Sequence, residues 1–512
     1  HKKLQNDLAL MGDLLSSYTV EESVLEHNLY GVDINQDAVE IAKLSLWLRT
    51  AKRGRPLTKL ADKILCANSL LDMPFDEGSF DVVLGNPPYV RQEAIKEQKE
   101  ALSKIYEVFT GTADLYVYFY EFGIKMLKPN GLKGFICSNK FFRAKYGEKL
   151  REYILKNTVI EEIVDFNGVK VFEDATVDSA ITILKKQTPN EDTTFKVVDI
   201  DLINSYTMKQ NDLNKKNFSF LSPQELAIKQ KIEQVGTPLK EWDINIYRGI
   251  LTGFNEAFII DGAKKDELIS KDSKSAEIIK PLLRGRDIKR YEINFADKWL
   301  INSHNNPPIN IDDYPAIKEY LDQFYPQLEK RGDRGITPYN LRNCAYLNEF
   351  NKEKILWAGM SNSNNFLYSA DEIYINDKGF LLTGESLKYI LALLNSKLCF
   401  YYYQFDGIRL ATGWEFKKFK VEQIPIPKIE EEKQQPFIKL VDEILESKQK
   451  IKDYKILLDE AITNDNFDRE IKLKKEIEAL ENRVIECEKE IDQMVYELYG
   501  LSDDEIRIVE GV

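Results

Sequence analysis

Phe80-Asp81-Val82-Val83-Leu84-Gly85, running straight into Asn86-Pro87-Pro88-Tyr89, is the stretch that decides the architecture. A short apolar run reads as a buried strand, and two consecutive prolines end it at once. Outward from this point, strand-like and helix-like segments alternate through about residue 185, which is the signature of an α/β layer fold. On the N-terminal side, residues 29–33 read as a strand end. Asn35 caps a helix that runs to about Arg53, with Val39, Ala42, Leu46 and Trp47 near helical spacing, and residues 64–67 read as a second strand. On the C-terminal side, residues 114–128 read as an amphipathic helix stopped by Pro129-Asn130-Gly131. Residues 132–137, 160–166 and 177–184 read as further buried strands.

Beyond this layer the composition shifts. Residues 188–240 are polar, carry Pro189, Pro223 and Pro238, and read as a connector with a few strands. Residues 241–428 are irregular and rich in aromatics, Asn and Arg, and Pro425 and Pro427 close them. Residues 429–512 read as a charged helical hairpin with its turn at Asn464-Asp465-Asn466, followed by a short helix opened by a Ser502/Glu505 capping box.

Composition narrows the function classes. With 512 residues, the chain is too long for one ordinary core. No apolar run reaches the roughly 18 residues needed to span a bilayer, and no secretory signal is evident. Five scattered cysteines contain no C-x-x-C pair, and there are only three histidines. A reducing, cytoplasmic setting fits this set better than a disulfide framework, and no metal site is expected. The net charge of −13 argues against a generic nucleic-acid coat, but leaves open a protein whose basic residues are gathered in one place.

The turn after the strand carries chemistry. Its prolines remove two N–H donors and stiffen the backbone, so it presents carbonyl oxygens. Asn86 adds a side-chain acceptor and Tyr89 an aromatic face. In open α/β sheets, ligands sit outside the carboxyl ends of the strands. Such a set suits a planar group with an exocyclic amine, such as adenine. Two acceptors, the Asn86 side chain and the Pro87 carbonyl, would take both N–H bonds and leave the nitrogen lone pair free to attack. Tyr89 would stack on a base flipped out of its duplex. Taken alone, Asn-Pro-Pro-Tyr fits a strand-capping turn equally well; its place after a buried strand favours the functional reading.

Gly31-Val32-Asp33-Ile34, Ala67-Asn68-Ser69 and Gly85-Asn86-Pro87-Pro88-Tyr89 resemble successive motifs of the amino-methyltransferases that use S-adenosylmethionine. The chain is most similar to Taq-type adenine-specific DNA methyltransferases and type IIG restriction–modification proteins. The resemblance continues through Asp114-Leu115-Tyr116, Asn139-Lys140-Phe141-Phe142 to Arg151, and Val171-Phe172-Glu173. It implies a Rossmann-like methyltransferase sheet over residues 1–187. It also implies that Asp33 binds the cofactor ribose, that Ile34 packs on its adenine, and that Asn68 and Ser69 lie beside that adenine. Pro88 would touch the cofactor from the other side. Asn86, Pro87 and Tyr89 would hold the target adenine, with Phe172 packing opposite Tyr89; alone, Phe172 reads as a core residue. Asn68 stands where the family usually has Asp. The family's glycine-rich first motif has no counterpart before Gly31, so the sheet is expected to be incomplete at its N-terminal side.

Residues 241–428 resemble the target-recognition domain of the same enzymes, a mixed α+β domain. The resemblance lies in Arg248-Gly249-Ile250, Lys280-Pro281 with Arg284-Gly285-Arg286-Asp287-Ile288, Leu394-Asn395-Ser396-Lys397 and Ile424-Pro425-Ile426-Pro427. Arg248, Arg284, Arg286, Lys289, Arg331, Arg334, Arg342, Arg409 and Trp414 are the candidates for contact with double-stranded DNA. For any one cation a solvated surface remains the simpler reading; for the group, DNA contact does. The resemblance implies N6-adenine methylation within a restriction–modification system, with any nuclease upstream of these residues and no obligate protein partner evident. Two other readings stay open. One is a methyltransferase acting on protein glutamine or RNA, which also use Asn-Pro-Pro-Tyr. The other is a DNA-binding fragment that transfers nothing.

Overall fold

Alternation of apolar segments with caps and turns produces two compact units, His1–Phe220 and Leu221–Val512, in the computed structural model. Residues 10, 23–50, 60–166, 171–172, 178–198, 205–410 and 413–512 are described.

In the first unit the main elements are β1 (Gly31–Asp33), α1 (Gln36–Thr50), β2 (Ile64–Cys66), β3 (Phe80–Gly85), α2 (Tyr116–Met126), β4 (Leu127–Ser138), α3 (Glu148–Asn157), β5 (Val159–Asp165), β6 (Ser179–Lys185), β7 (Thr194–Val198) and β8 (Ser205–Lys209). β1 and β2 form a parallel pair, with Gly31 opposite Ile64 and Asp33 opposite Cys66. The remaining strands form one sheet in the order β3-β4-β6-β5-β7-β8. β3 runs parallel to β4, while β6 is antiparallel to both β4 and β5.

The predicted caps are present. Asn35 Oδ1 accepts from the backbone N–H of Asp37 at 2.8 Å and of Ala38 at 3.2 Å, which orients the start of α1. The helix expected over residues 114–128 is shorter, because β4 begins at Leu127 and takes Pro129-Asn130-Gly131 into its length. Asn130 adopts φ 67°, a left-handed conformation that Asn tolerates, and the β3–β4 register slips between Phe80 and Val82. These residues therefore bulge a strand rather than stop a helix.

One sheet face is covered. Tyr116, Tyr120 and Ile124 of α2, with Leu150 and Ile154 of α3, bury Phe135, Cys137, Ile163 and Ala180. Val82 and Leu84 lie on the other face of the edge strand β3 and are 52% and 77% exposed.

The stretch 188–240 is divided between the units. β7 and β8 extend the first sheet beyond residue 187, and the helix α4 (Pro223–Val235), opened by a Ser222/Glu225 capping box, belongs to the second unit.

The irregular appearance of residues 241–428 conceals two four-stranded sheets. One orders Ile244–Arg248, Gly379–Gly384, Lys354–Ala358 and Phe366–Ser369; the other orders Ile259–Asp261, Lys298–Ile301, Ile279–Leu283 and Tyr374–Ile375. Every residue of Lys354–Ala358 is buried, so this strand shows no period-two alternation for a sequence reading to find. Two 33-residue helices, α5 (Glu431–Thr463) and α6 (Phe467–Tyr499), form the expected hairpin; Phe437, Val441, Val484 and Val495 join a core with Leu391 and Leu394. No helix among the described residues is long and apolar enough to cross a membrane, and none of their side-chain clusters has the makings of a metal site.

Candidate active site

The carboxyl ends of β1 and β2 lie side by side because they are parallel and in register. The Ala67 N–H donates to the Asp33 carbonyl at 3.0 Å, and Cys66 Sγ donates to the Ile34 carbonyl at 3.5 Å. Asp33 is exposed, and its Oδ1 accepts from the Asn35 N–H at 2.8 Å. Ile34 is 72% exposed although apolar. Asn68 Oδ1 accepts from the Leu70 N–H at 3.1 Å, which fixes its side chain on its own loop. Ser69 is half-buried beside it. An exposed carboxylate, a bare apolar side chain and a carboxamide at adjoining strand ends fit a nucleoside: a diol for Asp33, a flat base for Ile34 and Asn68.

β3 delivers the turn. Asn86 is exposed and has no hydrogen-bond partner among the described residues. Pro87 is buried, Pro88 exposed and Tyr89 half-buried. The turn is anchored from behind: the Val90 N–H donates to the Pro88 carbonyl at 3.0 Å and the Leu115 N–H to the Val90 carbonyl at 2.9 Å. The Gln92 N–H donates to Asp114 Oδ1 at 3.1 Å, which ties the loop to the approach to α2. Burial raises the Tyr89 phenol above its usual range, against a lowering by Ser179. The tyrosine hydroxyl is thus buried, close to Ser179, while the neighbouring carboxamide is exposed.

Other motif residues are structural. Arg151 is buried; its Nε donates to the Lys215 carbonyl at 2.7 Å, Nη2 to Lys216 at 2.8 Å, and Nη1 to Ala144 at 2.9 Å and to Phe141. It therefore clamps four backbone carbonyls. Asn139 Nδ2 donates to Asp165 Oδ1 at 2.7 Å. Phe172 is half-buried, and no ring contact joins it to Tyr89 among the described residues; the motif neighbours Glu173, Asp174 and Ala175 lie outside them.

In the second unit the structure sorts the expected DNA contacts. Two are corrected. Arg331 is buried over the Phe258 ring at 4.4 Å and donates to the carbonyls of Asn340 at 2.6 Å, Pro338 at 3.1 Å and Thr252; burial lowers its pKa to about 10. Trp414 is buried in the hydrophobic core, edge-on to Phe400, so it is no wedge for an opened duplex.

Three more arginines are neutralised. Arg284 grips the buried Asp287 through Nε at 3.0 Å and Nη2 at 2.7 Å. Arg248 pairs with Asp377 at 3.2 Å and Arg342 with Asp333 at 3.2 Å. Arg334 is exposed and donates to the Glu329 carbonyl at 2.8 Å. Arg286, Lys289 and Arg409 are exposed and have no ion-pair partner among the described residues, Arg409 lying 5.6 Å from the Trp414 ring. Sequence reasoning missed Lys378, Asn362, Asn365 and Asn376, which share a cleft with Arg286 and Lys289. They lie far from Arg286 in the chain and form no motif, so only the fold brings them together.

Comparison with known proteins agrees with this division. Residues 27–172 match the Eco57I restriction-modification methylase family, and residues 280–426 match the TaqI-like C-terminal specificity domain. The chain is 26% identical over 478 residues to the type II methyltransferase M.BstVI of Geobacillus stearothermophilus, covering 84% of this chain and 75% of that protein. It is 26% identical over 304 residues to M.PaeR7I of Pseudomonas aeruginosa, covering 55% of this chain and about half, 52%, of that protein. The type IIL restriction-modification enzyme MmeI, solved in complex with DNA, shares the fold with a TM-score of 0.61 at 13% identity, over 94% of this chain and 65% of that one. Along the chain, residues 27–172 are thus similar to the Eco57I restriction-modification methylase family and residues 280–426 to the TaqI-like C-terminal specificity domain.

Proposed function

We propose that this protein methylates the exocyclic N6 of adenine at a defined sequence in double-stranded DNA, as the modification activity of a restriction–modification system. The observation that carries this reading is the free, exposed Asn86 carboxamide at the carboxyl end of β3, within the methylase match. The relatives' activity and the specificity-domain match support DNA as the substrate.

S-adenosylmethionine, when bound, supplies an electrophilic methyl group. Asp33, Ile34, Asn68 and Ser69 fit its adenosine half, and Pro88 would close the other side. Among the described residues no glycine-rich turn receives the methionine half. Asn86 and the Pro87 carbonyl would each accept one hydrogen bond from the adenine amine, drawing it towards a pyramidal nitrogen with its lone pair free. Tyr89, half-buried with its hydroxyl inward, would offer its ring face to the extruded base, with Phe172 opposite. No strong base is required beforehand, because the nitrogen loses its proton after it becomes cationic. A nuclease is not assigned to residues 1–512.

The test is transfer of labelled methyl from S-adenosylmethionine by the full-length protein to duplex DNA, RNA and a glutamine-bearing protein, with mass spectrometry of the product. N6-methyladenine at one DNA sequence is the expected result. Label in protein or RNA alone, or on cytosine, overturns the reading.

A further inference from the structure

The basic residues of the second unit fall into two groups, those turned inward or paired and those left over. Three of the latter meet in one place. A cleft of about 580 Å³ is walled on one side by Arg284, Gly285, Arg286, Ile288 and Lys289. The other side is made by residues 358–365 with Asn376 and Lys378. Arg286, Lys289 and Lys378 are exposed and without ion-pair partners among the described residues, and no carboxylate lines the cleft. In a chain with 84 acidic and 71 basic residues, such a local surplus selects an anionic ligand.

The remaining polar groups are carboxamides. Asn362 is exposed and forms no hydrogen bond among the described residues. Asn365 donates through Nδ2 to Ser361 Oγ at 2.9 Å, which stiffens the turn that carries Asn362. Asn376 has a buried Oδ1 with no hydrogen-bond partner. The wall is built for close approach. A Cβ on Gly413 would lie 2.7 Å from the Ser361 carbonyl and 2.8 Å from Asn362 Oδ1, so only glycine lets the Ser361-Asn362 backbone pack there. Arg284 is spent on Asp287, and that pair fixes the Gly285–Asp287 turn from which Arg286 projects.

We infer that this cleft reads the recognition sequence of duplex DNA, with Arg286 and Asn362 as specificity-determining residues and Lys289 and Lys378 as phosphate contacts. The inference rests on the proposed DNA substrate. A guanidinium forks onto the O6 and N7 of guanine, and a carboxamide onto the N6 and N7 of adenine, so a site with a G·C pair and an A·T pair close together is the class of sequence that suits it. The two lysines offer point charges suited to the backbone.

Two readouts test this with the full-length protein. The first is the modified sequence and the kcat/KM for methylation of its cognate duplex. Arg286→Ala and Asn362→Ala should each lower cognate kcat/KM by about 10- to 100-fold and relax the modified sequence at one position. The second is duplex binding against salt. Lys289→Ala and Lys378→Ala should weaken binding to all duplexes and reduce the salt slope by about 1 each, while Lys448→Ala, outside the cleft, leaves it unchanged. The four cleft side chains are exposed and Lys448 is half-buried in an ion pair with Glu292, so thermal melting should stay close to the wild type in all five variants. Arg286→Ala and Asn362→Ala variants that keep the wild-type sequence and rate, or lysine variants with an unaltered salt slope, overturn the inference. If the wild-type protein binds DNA through these lysines but methylates none, the cleft stands and the proposed reaction falls.

Discussion

The turn after β3 and the arginines of the second unit were equally conspicuous in the sequence, and the fold treats them in opposite ways. Asn86 is left exposed and, among the described residues, unpaired, at a strand end where a ligand can reach it. Most of the arginines are consumed by the protein itself: Arg331 inside the core, Arg284 on Asp287, Arg248 on Asp377 and Arg342 on Asp333. The difference teaches that a rigid short motif brings its own geometry with it, whereas a long charged side chain takes its role from whatever the fold places within reach.

The largest expected effect falls on the motif. Asn86→Ala should lower methyl transfer by about 1000-fold, measured as kcat with labelled cofactor, with little change in melting temperature because the side chain is exposed. Activity that survives the change would break the comparison at its first term.

Arg331→Met should act in the reverse sense. It strips hydrogen-bond donors from three carbonyls, those of Thr252 and Asn340 on buried residues, and should destabilise the second unit by about 3 kcal/mol in urea unfolding. Methyl transfer measured well below the unfolding transition should stay near the wild-type level. A selective loss of DNA affinity without loss of stability would return Arg331 to the DNA surface.

Two buried lysines sharpen the contrast. Lys354 in the second unit donates to the carbonyls of Lys352 at 2.9 Å and Asp371 at 2.6 Å, and burial lowers its pKa to about 8. Such a lysine is charged in the unfolded chain up to its ordinary value of 10.5 but releases its proton earlier in the fold. The destabilisation is therefore complete below pH 8 and is relieved as pH rises from 8 towards 10.5. Unfolding free energy should climb by about 2 kcal/mol between pH 7 and 9.5, and Lys354→Met should flatten that climb. A flat wild-type profile counts against a depressed Lys354.

Lys133 in the first unit is fully buried with no hydrogen-bond partner among the described residues, its Nζ 3.4 Å from the Tyr120 ring centroid and 4.0 Å from that of Phe135. Burial holds its pKa well below the ordinary value. Lys133→Met leaves no carbonyl unpaired and should stabilise the unit by about 1 kcal/mol in thermal or urea unfolding. A loss of stability would show that the ring contacts outweigh the cost of burial.

Much of the first unit was legible because its signals are local. A strand followed by two prolines and an Asn cap before a helix each act over a few residues. The exceptions have physical causes. Pro129-Asn130-Gly131 looked like a helix stop, and Asn130 at positive φ made it a strand bulge instead. In the second unit the strand Lys354–Ala358 is buried on both faces, which erases the alternation that marks a half-buried strand.

By itself, then, the sequence determined the α/β layer, the order of its motifs and the stiff, donor-poor backbone of the Asn-Pro-Pro-Tyr turn, because these depend on fixed dihedrals and short spacings. Only the tertiary structure decided which cations remain free. Arg286, Lys289 and Lys378 meet across some 90 residues of chain, and Arg284 is removed from the count by an aspartate three residues away. Charge is carried by side chains long enough to reach several partners, so its function is settled by packing rather than by position in the chain.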